Sequence, residues 1–237
     1  MPTCDAAPPR GWIDIRRAQA ESRRARAADA APRRASPVML VVDQTMRAHE
    51  HVALRSMFAA RKRVFVDLLN WDLPVLAGRY EVDRRDRPGA TYLIIAGADG
   101  EHLASARLLP ETAASLRRFE ERIFEPGASN AGVAEVTHFC LSPDITSDAR
   151  RRARDQLLYG LVDHALARHI QCFLGIAEPR LARRIEGLGW ACRRLGAIHS
   201  SGGRDMVAVA VDVDAATPAR LAGAGIARPT ASWPMSS

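Results

Sequence analysis

The stretch TYLIIAGADGEHLASARLLP at residues 91–110 decides the fold class. Residues 91–96 and 102–108 are two apolar runs. Ala98-Asp99-Gly100 between them is turn chemistry, so the pair reads as a β-hairpin. One residue breaks the pattern. Arg107 sits inside the apolar end of the second run, where a charge is costly unless it is paired.

Outward from the hairpin the pattern is mixed. Upstream, residues 38–42 are a candidate strand. Residues 47–69 read as a helix, with Val52, Met57, Phe58, Val64, Phe65 and Leu68 at helical spacing. Residues 70–90 carry Pro74, Gly78, Pro88 and Gly89 and read as irregular. Downstream come a short helix at 116–124, a strand at 133–141 and an amphipathic helix at 148–169. Leu157, Leu158, Leu161, Val162, Ala165 and Leu166 form the apolar side of that helix. A strand at 171–176, a helix at 179–188 and strands at 190–196 and 206–213 follow.

An antiparallel front half thus precedes a β–α–β unit. A doubly wound nucleotide fold would need repeated β–α units from the start and a Gly-rich first turn, and neither is here. The order fits an N-acetyltransferase-like α/β fold: a mixed, mainly antiparallel central sheet flanked by helices, with two central strands splayed apart. The Gly-rich loop that cradles pyrophosphate in acetyl-CoA enzymes is missing. The helix after 133–141 begins at Thr146-Ser147-Asp148, a cap without glycine.

The 237 residues are 47% hydrophobic and 26% charged, enough for a sizeable core. Residues 1–37 are an Arg/Ala/Pro-rich tail, 38–213 the folded domain, and 214–237 a C-terminal tail starting with a short helix. The net charge is +7, yet residues 1–38 alone contribute eight arginines against four acids. The folded part is therefore only mildly basic. With 5% aromatics, this argues against a nucleic-acid partner. All 34 basic residues except Lys62 are arginine, a bias of composition rather than of a site. Cys4, Cys140, Cys172 and Cys192 form no CxxC pair and no metal-like spacing with histidine, so they read as reduced thiols, and no metal is expected. No apolar run approaches the ~20 residues of a membrane span, and no secretory leader is evident. The expectation is a soluble, cytoplasmic protein without stable membrane insertion.

Four patterns occur in order: Arg61-Lys-Arg-Val-Phe65 followed by Trp71-Asp72; Glu81-Val-Asp83-Arg-Arg-Asp86; Ser105-Ala-Arg107-Leu-Leu-Pro110; and Glu135-Val-Thr137-His138-Phe139. Each alone is weak. Together, from about residue 39 to 213, they resemble the acyl-homoserine-lactone synthase family. The resemblance implies an acyltransferase. An acyl thioester, on acyl carrier protein or coenzyme A, is attacked by the amine of S-adenosylmethionine. The methionyl carboxylate then closes the lactone and expels methylthioadenosine. S-adenosylmethionine is a substrate, and no cofactor is implied.

The same resemblance distributes roles. Arg61, Phe65, Trp71, Asp83 and Asp86 are expected to bind S-adenosylmethionine. Glu135, Arg107 and His138 are expected to be catalytic, and Phe124, Thr137 and Phe139 to line the acyl pocket. The residues themselves allow blander readings. Asp83 and Asp86 could be a solvated acidic patch beside Arg84 and Arg85. Trp71 could simply pack, or offer its face to a cation. Arg61 and Phe65 share a helix face by their i, i+4 spacing, and Arg61 could clamp a carboxylate with two donors. Pairing with Asp83 or Asp86 is a natural solution for Arg107. Glu135 could be a base or merely a salt-bridge partner, and alternation puts it on one face with Thr137 and Phe139.

His138 departs from the family, which usually has arginine there. In a regular strand it points away from Glu135, unless a bulge changes the phase. The resemblance implies that His138→Arg folds and retains or raises activity with straight-chain acyl carrier protein donors, because it restores the family's donor fork. It also implies that Asp83→Ala or Asp86→Ala removes lactone formation and leaves the fold intact. An N-acyl amino acid synthase on the same fold, or a degenerate synthase, is the competing reading.

Overall fold

The computed structural model describes residues 36–43, 50–110, 132–201 and 203–228. The hairpin lies at its centre. Strand β4 (Thr91–Ala96) pairs antiparallel with β5 (His102–Pro110), with Tyr92 opposite Arg107 and Leu93 opposite Ala106. Gly97 donates to the Glu101 carbonyl at 2.9 Å and closes the turn. Strand β1 (Val38–Val42) adds to the free edge of β4. Strand β6 (Val133–Leu141) adds to β5. Beyond it come β7 (Cys172–Ala177), β9 (Arg204–Asp212) and β8 (Ala191–Ser201), so the seven-stranded order is β1-β4-β5-β6-β7-β9-β8.

Every neighbouring pair is antiparallel except β6 and β7. Those two run parallel and pair only from Val133 opposite Cys172 to Glu135 opposite Leu174. Past Glu135 they part, which is the expected splay of two central strands.

The two sheet faces follow from strand alternation. Leu93, Ile95, Ala104, Ala106, Leu108 and Ala134 turn to one face, where they meet Leu157, Leu158, Leu161, Val162 and Ala165 of the helix Ser147–Ala167, termed α2. Its first turn is capped by Thr146, whose hydroxyl accepts from the Ala149 amide. The helix lies close to β1 because Gly160 has no side chain. A Cβ there would stand 2.2 Å from the Met39 sulfur. On the other face Tyr92, Ile94, Ala96 and Leu109 meet Ala53 and Met57 of helix α1 (Glu50–Arg61). The connection β6–α2–β7 is the β–α–β unit read from the sequence.

Three segments differ from expectation. The helix read over 47–69 is α-helical only to Arg61. Lys62–Leu68 continue as a wider π-helix, with Leu69 donating to the Val64 carbonyl at 3.0 Å. The stretch read as irregular contains a small hairpin, β2 (Val75–Leu76) with β3 (Tyr80–Glu81). Ala77 and Gly78 at its turn both have positive φ, the sign pattern of a type I′ turn. Third, the core continues past the 213 boundary read from composition. Helix α4 (Thr217–Gly223) and the segment after it place Leu221 and Ile226 in the main cluster. Gly189 makes room for α4, since a Cβ there would meet Ala224 at 2.6 Å and the Arg220 carbonyl at 2.8 Å. Helix α3 (Pro179–Glu186) packs on β8 and β9. The helix expected at 116–124 lies outside the described residues.

Candidate active site

Four elements bring charged side chains to the α1 face of the sheet. Arg61 ends α1, Glu81 ends β3, Asp83 and Asp86 follow in the next loop, and Arg107 lies on β5. The loop is braced by its own aspartates. Asp86 accepts from the Asp83 amide at 2.8 Å, and Asp83 accepts from the Arg85 amide at 2.7 Å.

Arg61 grips Asp86 with both terminal nitrogens, at 2.9 and 3.0 Å, and its Nε donates to Glu81 Oε2. Arg107 grips Asp83 in the same bidentate way, at 2.7 and 2.9 Å. Its Nη1 also reaches Asp86 at 2.7 Å, and its Nε donates to the Thr137 hydroxyl at 3.0 Å. The Tyr92 hydroxyl donates to Asp86 at 2.8 Å. Both guanidiniums are 1% exposed, so the question Arg107 raised in the sequence has its answer in two aspartates.

Three carboxylates therefore share two guanidiniums. Burial alone would raise the pKa of Asp83, Asp86 and Glu81. Neighbouring donors and charges outweigh it, from Arg107 at Asp83, from Arg61 at Asp86, and from His138 and Arg61 at Glu81. All three end up below the usual carboxylate range. All three are ionised at neutral pH, and the cluster keeps one negative charge in excess. Glu81 Oε1 is buried and has no hydrogen-bond partner among the described residues. The cluster is built to receive a cation with hydrogens to donate.

A bulge in β6 brings the next residue. Arg107 faces Thr137 and Ser105 faces Cys140, so β6 holds one residue more than β5 across this stretch. His138 takes the extra place at a φ of 51°, a left-handed conformation that histidine tolerates better than most side chains. The alternation expected for a regular strand is thereby overturned on both sides. His138 turns to Glu81 and Asp83, its Nε2 at 3.5 and 3.9 Å from their oxygens. Phe139, expected beside Glu135 and Thr137, instead packs against the core under α2. Phe124, the third residue expected in an acyl pocket, lies outside the described residues.

The π-helix sets the aromatic wall. Phe65 is buried, stacks on Trp71 at 5.1 Å and meets the His138 ring edge-on at 5.3 Å. Trp71 already has a cation over it, Arg204 at 5.9 Å, which also bonds the Leu69 carbonyl.

Glu135 is 3% exposed and engaged: Arg85 donates to both of its oxygens, at 3.0 Å from Nη1. Of the residues named from sequence, Arg61, Asp83, Asp86, Arg107, Thr137 and His138 form one connected group, joined to Phe65 and Trp71 by ring contact. Glu135 comes in through Arg85. Glu81, Tyr92 and Arg85 were not named as site residues. Glu81 stood in a quoted pattern, Tyr92 was hidden in an apolar strand, and Arg85 looked like surface charge.

Glu81, Asp83 and His138 bring one ligand atom each within 4.8 Å of one another. Arg61 and Arg107 already bond these carboxylates and supply the positive charge a metal would, so the arrangement is an ion-pair cluster. A surface depression of about 400 Å³ lined by Val52, Arg55, Ser56, Ala59, Arg79 and Tyr80 contains none of the cluster residues. Among the described residues no helix is long and apolar enough to cross a membrane.

Known proteins share this arrangement of elements. An acyl-homoserine-lactone synthase of Ralstonia nicotianae is 31% identical over 169 residues, which span 68% of this chain and 82% of that protein. The crystal structure of TofI in a ternary complex with an inhibitor and MTA is 28% identical, with a TM-score of 0.60 over 78% of this chain and 96% of that one. A Lactobacillus plantarum structure named for N-acetyltransferase activity is 16% identical, with a TM-score of 0.51 over 75% of this chain, and shares the fold. The family model for autoinducer synthases matches residues 43–221, and this chain belongs to that family.

Proposed function

We infer that this protein is an acyl-homoserine-lactone synthase, which transfers an acyl group from a thioester on acyl carrier protein or coenzyme A to the amine of S-adenosylmethionine. Lactone closure then releases methylthioadenosine, and the product is a quorum-sensing signal. The observation that carries this is the buried cluster of Arg61, Glu81, Asp83, Asp86 and Arg107, one carboxylate in excess, beside the point where β6 and β7 part. S-adenosylmethionine brings a sulfonium and an ammonium, and the excess carboxylate suits them.

In this reading Asp83, Asp86 and Glu81 hold the cationic end of S-adenosylmethionine. Arg61 and Arg107 hold the aspartates in place, and Phe65 and Trp71 wall the site. Thr137 and the gap past Glu135 border the acyl chain. S-adenosylmethionine is consumed as a substrate, and the reading requires no cofactor and no nucleic acid. The working domain runs from residue 38 through α4 and the core residue Ile226, and acts in the cytoplasm.

Incubation with S-adenosylmethionine and an acyl thioester, followed by mass spectrometry of an organic extract, tests the reading. A homoserine lactone fragment and an equal amount of methylthioadenosine are expected. An N-acyl amino acid without methylthioadenosine release would replace this function with its nearest rival.

A further inference from the structure

Resting on the synthase reading above, we propose that His138, backed by Glu81, accepts the proton from the α-ammonium of S-adenosylmethionine. Any base in this reaction needs a free lone pair within reach of the amine. Glu135 is the residue expected from sequence, but Arg85 donates to both of its oxygens. His138 is in the opposite state. Both its ring nitrogens are buried and neither has a hydrogen-bond partner among the described residues. Beside it stands a second group in that state, Glu81 Oε1, 3.5 Å from Nε2. The other Glu81 oxygen is held by Arg61. Closing that gap gives an Nε2–H to carboxylate bond and leaves the lone pair on Nδ1 as acceptor.

The ring is held from every side. Glu81 faces it from β3, Asp83 from the next loop, Arg61 from α1, Arg107 from β5 and Phe65 from the π-helix. Burial lowers the His138 pKa, the nearby Glu81 carboxylate works against this, and the charges of Arg61 and Arg107 lower it further. The net direction is down. The imidazole is therefore neutral at pH 7 and has a lone pair to offer. The arginine usual in the family has none. On this proposal His138→Arg is expected to lose activity rather than retain it.

The chemistry balances. Nδ1 takes one proton from the ammonium, leaving a neutral amine and an imidazolium held by Glu81. The amine nitrogen forms a bond to the thioester carbonyl carbon, and the C=O π pair moves to oxygen. That pair returns to re-form C=O as the C–S bond breaks. The departing sulfur takes the second nitrogen proton and leaves as a thiol. The imidazolium returns its proton to water. Ammonium and thioester become amide, thiol and one released proton.

The test begins with wild-type protein, S-adenosylmethionine, and octanoyl thioesters of both carrier protein and coenzyme A. Failure of a panel of donors of both kinds to yield lactone overturns the synthase reading, and this inference with it. With an active enzyme, His138→Gln is expected to lower kcat by about 10²-fold or more and to abolish the acidic limb of the pH–rate profile. KM for S-adenosylmethionine should stay within about threefold. His138→Arg should fold and lose turnover in the same way. Added imidazole should restore turnover to His138→Ala, which a purely structural role would not allow. Glu135→Gln should keep the acidic limb. An acidic limb that survives in His138→Gln, a kcat within about threefold of wild type, or a limb that vanishes in Glu135→Gln instead, overturns the proposal.

Discussion

Arg85 and Glu135 lie 50 positions apart and meet through two parallel hydrogen bonds, with the carboxylate almost wholly buried and the guanidinium about a quarter exposed. Arg85 thereby ties the aspartate loop to the last paired residue of β6 before β6 and β7 diverge. This ion pair helps hold loop and strand in register.

That pair should show strong coupling. Arg85→Met removes two charge-assisted bonds from a buried carboxylate and is expected to destabilise by about 1–3 kcal/mol. Glu135→Gln in the same background should recover part of the loss. A double-mutant cycle read by urea unfolding should give a coupling of about 0.5–3 kcal/mol. Additive single effects would show that the pair contributes nothing to stability.

The two aspartates should differ. Asp86 has a 2% exposed side chain and bonds to Arg61, Arg107 and Tyr92, whereas Asp83 is 18% exposed and bonds mainly to Arg107. Asp86→Ala removes both terminal bonds of Arg61, one bond of Arg107 and the acceptor of Tyr92, all buried, and should cost about 3–5 kcal/mol. Asp83→Ala should cost about 1–3 kcal/mol. The fold is thus not expected to be indifferent to Asp86, as a pure binding role would imply. Tryptophan fluorescence during urea unfolding measures the ranking, and equal losses would contradict it.

His102 should make stability pH-dependent. It is 5% exposed, Nε2 lies 2.9 Å from the Ser105 hydroxyl, and burial pushes its pKa down to about 4. An unfolded histidine titrates near 6.5. Between those values the unfolded chain binds more protons, so the stabilisation is complete above pH 6.5 and is lost as pH falls to about 4. The loss from this group is about 3 kcal/mol at most. His138, also depressed, adds a slope of the same sign. His102→Gln should remove close to one proton from the slope of unfolding free energy against pH in this window. An unchanged slope would show that His102 does not titrate on unfolding.

The C-terminal helix should be part of the stable body. Leu221 is fully buried and Ile226 is 6% exposed in the main core. Truncation after Val213 removes both, and each large core deletion costs about 2–5 kcal/mol. Gly189→Ala places a Cβ against the Arg220 carbonyl at a φ of 83° and should undock the same helix. Thermal unfolding of the two variants should show large drops of similar size. A truncated chain that melts like the full one would show that α4 only decorates the core.

The fold class was legible because its signals are local. Two apolar runs around Ala98-Asp99-Gly100 make a hairpin wherever they fold, and the amphipathic stripe through Leu157, Leu161 and Ala165 makes a helix. Arg107 in an apolar strand announced that a counter-charge must reach it, and Asp83 and Asp86 do. The π-helix after Arg61 and the hairpin inside 70–90 were not legible. The first keeps the same side-chain types as an α-helix, and the second rests on two residues per strand.

The sequence by itself determined which elements form, their order, and the residue types that carry charge into the core. Only the tertiary structure decided which face His138 occupies and what holds Glu135. Side-chain phase along a strand follows the period of two only while hydrogen-bond register is kept. The extra residue of β6 exists only relative to β5. That single slip turns His138 toward Glu81 and Asp83 and sends Phe139 to the opposite core. Glu135 meets Arg85 because the aspartate loop, braced by its own side chains, carries Arg85 across to β6. Pairings of that kind depend on distances between segments far apart in the chain, which no local pattern of residues encodes.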